Sequence, residues 1–153
     1  MKTISLLFAA GLAAPLAHAH ITLEQSSAPA GAYQKLTFRV GHGCEGSATN
    51  NVTVVLPEGV AGAKPMPKAG WIISGAAREI SWTGGPLPDS QYDEFSMQVK
   101  LPATLGKYPF KVIQVCDERH VEWSELAGAA GTKLKFPAPV LEVVAPAGPV
   151  HQH

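Results

Sequence analysis

The sequence predicts an all-β fold. Hydrophobic and polar residues alternate with a period of two along several short stretches, and no stretch sustains the 3.6-residue period of an amphipathic helix. Turn signals rich in Gly and Pro separate these stretches, as at Pro57-Glu58-Gly59, Gly84-Gly85-Pro86 and Leu105-Gly106-Lys107. About seven to nine short strands joined by such turns predict an immunoglobulin-like or fibronectin-III-like β-sandwich.

The alternation is clearest in three strands, in which hydrophobic residues form one face and mostly polar residues form the other. The hydrophobic sets are Leu36, Phe38 and Val40; Val52, Val54 and Leu56; and Phe95, Met97, Val99 and Leu101. Glu94 belongs to the polar set of the last strand, so its side chain is predicted to point away from the core. Further strands are predicted over residues 21–25, 71–74, 78–82, 109–115 and 140–144, and a turn over residues 124–130.

Residues 1–19 have the pattern of a secretory signal peptide, with Lys2, an apolar run over residues 4–16 and the small-x-small site Ala17-His18-Ala19. Cleavage after Ala19 makes His20 the first residue of the mature chain. A cut after Ala17 would instead place His20 at position three, but it puts Pro15 where a small residue is wanted. Because the apolar run is shorter than the roughly 20 residues that span a bilayer, we expect a soluble periplasmic or secreted product with no membrane span after processing.

Removal of the signal peptide leaves 134 of the 153 residues, the length of one domain. We predict a folded domain over residues 20–145 and a disordered tail over residues 146–153 that contains His151 and His153. The whole chain has 12 Lys and Arg against 12 Asp and Glu, scattered along its length. This balance leaves no basic patch, so nucleic acid is not an expected partner.

The two cysteines, Cys44 and Cys116, both lie in the mature chain. An oxidising compartment favours a disulfide between them, and closure of so long a loop is worth about 4 kcal/mol in the chain-entropy model. The competing interpretation is a metal site with two thiolates. It is the less favoured because exported thiols oxidise and no Cys-x-x-Cys spacing is present.

His20, as the first residue of the mature chain, offers an α-amine and a ring Nδ1 to the same metal ion. Near neutral pH both nitrogens give up their protons at modest cost when a metal competes for them. Two nitrogens in a rigid chelate suit tetragonal Cu(II), which also leads the affinity order for such ligands. A lone terminal histidine can be accidental, so another residue must complete the site. The outward-pointing Glu94 is the best candidate by pattern.

Six segments, taken in chain order, resemble the YcnI-like family of copper-binding proteins. They are Gly41-His42-Gly43-Cys44, Leu56-Pro57-Glu58-Gly59-Val60, Pro67-Lys68-Ala69-Gly70-Trp71, Trp82-Thr83-Gly84-Gly85, Asp93-Glu94-Phe95 and Val121-Glu122-Trp123-Ser124-Glu125. The resemblance implies a monohistidine brace for Cu(II), formed by the terminal amine and imidazole, a glutamate and a neighbouring tryptophan. Carried onto this sequence, the site is His20, Glu94 and Trp123.

The chain departs from the family pattern at residues 116–120, where relatives tend to have a Gly-containing turn and where His120 stands in this sequence. It also stops at His153, where some relatives add a transmembrane anchor. His120 is therefore a candidate for a secondary ligand, and His151 and His153 can bind metal weakly from a flexible tail. For His42 a hydrogen bond to the backbone is the commoner role. No cluster of Met residues suggests a Cu(I) site.

The sequence therefore predicts a Cu(II)-binding protein that acts as a copper carrier, chaperone or buffer and is not an enzyme. The expected partners are the copper ion and either a copper-trafficking protein or a membrane copper transporter. No Gly-x-Ser-x-Gly, His-Glu-x-x-His or glycine-rich phosphate loop is present. Two alternatives stay open: a copper-dependent polysaccharide monooxygenase, which would need His42 or His120 as a second histidine, and an adhesin or interaction module without a metal.

Overall fold

The computed structural model describes residues 20–117, 119–128 and 131–148. The predicted signal peptide, and residues 149–153 of the predicted tail with His151 and His153, lie outside the described residues. Within those ranges no helix has the length and hydrophobicity needed to cross a membrane.

The described part of the chain contains twelve strands, which form three sheets. The four-stranded sheet contains β1 (Thr22–Leu23), β3 (Tyr33–Val40), β8 (Asp93–Lys100) and β5 (Ala61–Pro65), in that order. The five-stranded sheet contains β11 (Arg119–Trp123), β10 (Lys111–Cys116), β4 (Thr49–Val55), β7 (Glu79–Leu87) and β6 (Trp71–Ala76), in that order. The third sheet contains β2 (Ser27–Pro29), β12 (Val140–Val144) and β9 (Gly106–Pro109). The all-β prediction is confirmed.

Hydrophobic side chains from all three sheets form one core. Trp82 of β7 packs edge-on against Phe95 of β8 with ring centroids 5.7 Å apart, which joins the five-stranded sheet to the four-stranded sheet. Phe38 of β3 makes a similar contact with Phe110 at 5.5 Å. Burial of one such side chain stabilises the fold by about 1.5–3 kcal/mol. The alternating residues predicted to face inward are all buried in this core: Leu36, Phe38, Val40, Val52, Val54, Leu56, Phe95, Met97, Val99 and Leu101.

The described chain has more strands than the seven to nine predicted, because several are too short to show alternation. β2 has only three residues, and no strand was predicted there, whereas β1 lies within the strand predicted over residues 21–25. The strand predicted over residues 109–115 corresponds to β10, which pairs with β4, and only its first residue, Pro109, belongs to β9, which pairs with β12. The chain changes sheet at Phe110, whose backbone N–H donates to the carbonyl of Pro139 at 2.8 Å. The described part of the predicted turn, residues 124–128, contains no helix.

Cys44 and Cys116 form a disulfide, with their Cα atoms 5.9 Å apart. It links the loop between β3 and β4 to the last residue of β10. The pairing prediction is confirmed, and the alternative of a two-thiolate metal site is excluded for the oxidised protein because both sulfur atoms are in the bond.

Candidate functional site

The rings of His20 and Trp123 lie side by side, with centroids 5.9 Å apart and planes inclined by 57°. His20 is followed by Ile21, which is buried. The next residue, Thr22, begins β1, an edge strand of the four-stranded sheet. Trp123 is the last residue of β11, an edge strand of the five-stranded sheet. The pair therefore forms where an edge of one sheet meets an edge of the other, which brings together residues 103 positions apart in the sequence.

Trp123 is held in a fixed orientation by its surroundings. The side chain is 3% exposed, and its Nε1 donates a hydrogen bond to Oε1 of Gln114 at 3.1 Å. Phe136 packs against the indole in a T-shaped contact with centroids 5.5 Å apart. Because the indole N–H is engaged by Gln114, only ring carbon atoms of Trp123 are available to contact an ion bound at His20.

Gln114 is a buried polar residue at the centre of a hydrogen-bond network. Its Nε2 donates to the carbonyl of His42 at 2.7 Å and to Oγ1 of Thr49 at 2.8 Å, while its Oε1 accepts the bond from Trp123. The network fixes the indole to the loop that precedes Cys44. Sequence reasoning missed Gln114, although a signal exists, because this polar residue occupies an inward position between Val112 and Cys116.

A cavity of about 650 Å³ opens beside the histidine–tryptophan pair. His42 and His120 also line it, so three histidines face one space. Phe136 and Val121 form an apolar part of the cavity wall. The cavity lies close to the disulfide, since Cys44 forms part of its lining.

The charged residues of this cavity are Arg119, Lys135 and Glu45. Arg119 is ion-paired with Glu45, and both side chains are exposed. Lys135 places its Nζ 5.0 Å from the ring centroid of Phe136. The carboxylate of Glu125 fixes this segment, because its Oε2 accepts backbone hydrogen bonds from Lys135 at 2.7 Å and from Phe136 at 2.9 Å.

His42 makes the backbone contact expected of a turn histidine, a hydrogen bond between its Nδ1 and the carbonyl oxygen of Gly43. His120 lies on β11 and pairs with Val115 of β10. Ligand roles for these two histidines stay predictions. Within residues 20–117, 119–128 and 131–148, no group of three or more His, Cys, Asp and Glu residues is arranged to hold a metal ion.

Glu94 is half-exposed and points outward from β8, as the alternation predicts. Its Oε1 accepts a hydrogen bond from Nε of Arg39 at 2.9 Å, and Arg39 also binds Glu24 at 3.0 Å. Glu94 lines a second cavity of about 290 Å³ together with Lys35 and Lys68. The structure therefore brings His20 and Trp123 together and places Glu94 with Arg39. The role of Glu94 as a copper ligand stays a prediction.

The position of Glu94 follows from strand pairing. Thr22 of β1 pairs with Arg39 of β3, and Arg39 pairs with Glu94 of β8, so the three residues form one row across the sheet. Two strand spacings separate Glu94 from Thr22, a distance of about 10 Å. His20 lies two residues before Thr22, just outside the edge strand β1.

The fold and the site define a class of protein: an immunoglobulin-like β-sandwich domain with a histidine–tryptophan pair beside a partly cationic cavity. Residues 20–77 and 72–143 match the family model described as a domain of unknown function, DUF1775. The chain belongs to this family, which is the family of the YcnI-like proteins. No curated protein matches the chain significantly.

Solved structures support the fold. The chain is similar to an uncharacterized protein from Nocardia farcinica with an immunoglobulin-like fold, at 28% identity and a TM-score of 0.74, over 82% of this chain and 99% of that chain. It is also similar to the seventh ScaB type I cohesin from Pseudobacteroides cellulosolvens, at 14% identity and a TM-score of 0.50, over 88% of this chain and 97% of that chain. The second likeness concerns the fold alone.

Proposed function

We propose that this protein is an exported Cu(II)-binding protein that carries, delivers or buffers copper and holds the ion at the mature N-terminal His20. The observation that carries the proposal is the contact of His20 with Trp123 at the mouth of a cavity, with ring centroids 5.9 Å apart. The same two residues are the histidine and the tryptophan that the resemblance to YcnI-like proteins implies for a monohistidine brace.

The chemistry of the site depends on the processed N-terminus. After cleavage behind Ala19, the α-amine and Nδ1 of His20 form a chelate that no internal histidine can make, and such nitrogen ligands suit tetragonal Cu(II). The family match begins at residue 20, the residue that this cleavage exposes. The Cys44–Cys116 disulfide supports export, because disulfides persist in oxidising compartments such as the periplasm or the extracellular space.

Trp123 restricts access to the ion from one side, since its buried ring cannot be displaced without loss of the hydrogen bond to Gln114. Glu94 is the third predicted member of the site. Its Oε1 accepts the hydrogen bond from Arg39, and if Glu94 moves to the ion, Arg39 keeps a second carboxylate partner in Glu24. A site with few protein ligands at a chain terminus suits transfer of copper to a trafficking protein or a membrane copper transporter rather than catalysis.

The deciding experiment compares authentic protein, which begins at His20, with a variant that has one Gly ahead of His20. Both are prepared with His151→Ala and His153→Ala so that the tail contributes no ligand. The added residue separates the α-amine from the imidazole, so Cu(II) affinity is expected to fall at least tenfold, a loss of about 1.4 kcal/mol. Electron paramagnetic resonance and a copper titration measure the change. Equal affinity in both proteins would exclude the brace.

Two further assays address the alternative functions. Oxidation of chitin or cellulose in the presence of copper and a reductant would identify a monooxygenase. No Cu(II) binding at sub-micromolar concentration by authentic protein would favour an adhesin or interaction module.

A further inference from the structure

The copper site proposed above has more coordination positions than the described protein groups fill. Tetragonal Cu(II) takes four strong equatorial ligands, and His20 supplies two of them as amine and imidazole. Glu94 is bound to Arg39 at 2.9 Å and lines the other cavity, and if it moves to the ion it can take an axial position, outside the four equatorial ones. Glu45 is paired with Arg119. No group of three or more His, Cys, Asp and Glu residues in the described ranges is arranged around a metal position. Two adjacent positions on the ion can therefore face the cavity.

The cavity is much larger than a metal ion and its water ligands require. Its volume is about 650 Å³, whereas a water molecule in the liquid takes up roughly 30 Å³. Pockets that bind small organic molecules have volumes of about 300–1,000 Å³. The space next to His20 is therefore suited to an organic molecule.

The walls of the cavity favour an aromatic molecule. Trp123 and Phe136 form a T-shaped pair on one side, with centroids 5.5 Å apart, and Val121 extends the apolar surface. Aromatic rings pack well against such a pair in edge-to-face or offset geometry. The hydrogen bond to Gln114 and the bonds from Lys135 and Phe136 to Glu125 hold these walls in place without a ligand.

The charges of the cavity favour an anion. Among the residues that the structure describes, Arg119 and Lys135 face it with one carboxylate, Glu45, which is paired with Arg119, so a positive charge at Lys135 is left over. Lys135 Nζ lies 5.0 Å from the ring of Phe136, which places this charge on the aromatic wall. A divalent ion that entered alone would add to the positive charge, whereas an accompanying carboxylate would reduce it.

We infer that the cavity beside His20 binds Cu(II) together with a small aromatic carboxylate that chelates the ion, so that protein, copper and chelator form a ternary complex. The inference rests on the proposed function. The amine and imidazole of His20 fill one half of the equatorial plane, and the chelator fills the other half. Its ring packs against Phe136 and Val121 and reaches only the small accessible part of Trp123, and Lys135 offsets its charge.

The test uses picolinate, which chelates Cu(II) through its ring nitrogen and carboxylate, and its isomer nicotinate, which has the same size and charge but cannot chelate. Authentic protein with the tail histidines replaced is dialysed to equilibrium against each anion, with and without equimolar Cu(II). Picolinate is expected to be retained in an equimolar complex only when copper is present, and nicotinate is expected not to be retained. Electron paramagnetic resonance should give a spectrum distinct from those of copper–protein and copper–picolinate.

Lys135→Gln is expected to lower retention of copper–picolinate about fivefold to tenfold, because it removes the unpaired cation. Lys133→Gln is the matched control, since Lys133 is exposed and does not line the cavity. Copper binding without chelator should not weaken in either variant. Equal retention by the two variants would overturn the role of the cavity charge and with it the inference.

The outcomes separate this inference from the proposed function. If the protein binds Cu(II) alone but picolinate only removes the copper, the ternary complex is excluded and the copper-binding function stands. A copper–protein spectrum that already requires four protein ligands, for example with His42 and His120, would also overturn the inference. If authentic protein binds copper neither alone nor with picolinate, the proposed function fails.

Discussion

Nε1 of Trp123 donates a hydrogen bond to Oε1 of Gln114 at 3.1 Å, and Nε2 of the same amide donates to the carbonyl of His42 at 2.7 Å. One buried side chain thus links the tryptophan beside His20 to the loop that leads into the disulfide at Cys44. The geometry of the candidate site is therefore set by residues that do not contact a bound ion, and these residues can be tested separately from the ligands.

Replacement of Gln114 with Leu is expected to lower the free energy of unfolding by about 2–4 kcal/mol, because the indole N–H, Thr49 and the carbonyl of His42 lose a buried partner. Chemical denaturation measures the loss. Gln98→Leu is the matched control, since Gln98 is exposed on β8, and such surface changes stay within about 0.5 kcal/mol. If the two Leu variants are equally stable, the network does not contribute as described.

Gln114→Leu should also alter the copper site. Without the amide, the indole of Trp123 is free to rotate away from His20, so the electron paramagnetic resonance spectrum of bound Cu(II) is expected to broaden or shift. The spectrum of the Gln98→Leu protein should match that of the wild type. An unchanged spectrum in the folded Gln114→Leu protein would show that Trp123 is positioned by packing against Phe136 alone.

Trp123 should report copper binding through its fluorescence, because a bound Cu(II) ion quenches a nearby indole. In Trp123→Phe we expect most of the copper-dependent quenching to disappear. Trp71→Phe is the control, because β6 and β11 are opposite edges of the five-stranded sheet, about 19 Å apart by strand spacing. Quenching that survives in Trp123→Phe and disappears in Trp71→Phe would place the ion elsewhere.

Replacement of Glu94 with Gln is expected to weaken Cu(II) binding at least tenfold, a loss of about 1.4 kcal/mol, if its carboxylate leaves Arg39 to bind the ion. Glu24→Gln provides a close control, because Glu24 is the other carboxylate on Arg39 and is similarly exposed. Neither variant should lose more than about 1 kcal/mol of stability, the usual limit for an exposed ion pair. Copper titrations that do not distinguish the two variants would remove Glu94 from the site.

Reduction of the Cys44–Cys116 disulfide is expected to lower stability by about 4 kcal/mol in the chain-entropy model, because the bond closes a long loop. Copper binding should persist, since neither sulfur is a proposed ligand. Thermal unfolding and copper titration of the Cys44→Ala, Cys116→Ala double variant measure both effects. Two free thiols in protein isolated from an oxidising compartment would contradict the assignment, and loss of copper binding in the folded double variant would show that the bond supports the site.

The fold class, the inward-facing residues and the favoured disulfide could be predicted from the sequence. Alternation with a period of two identifies the buried face of a strand from local order alone, so the pattern suffices to assign Leu36, Phe38 and Phe95 to the core. A strand as short as β2 was not predicted, because its three residues are too few to show alternation.

Which of the candidate residues lie close together depends on the tertiary structure. His20 and Trp123 meet because edges of two different sheets come together, and strand order fixes that meeting where sequence spacing does not. Glu94 points outward as predicted, yet sheet register places it opposite Arg39, which gives the carboxylate a charged partner that no local pattern contains. The hydrogen bonds of Gln114 and the cationic lining of the cavity also depend on long-range contacts. Their side chains are far apart in the sequence and are brought together only by folding.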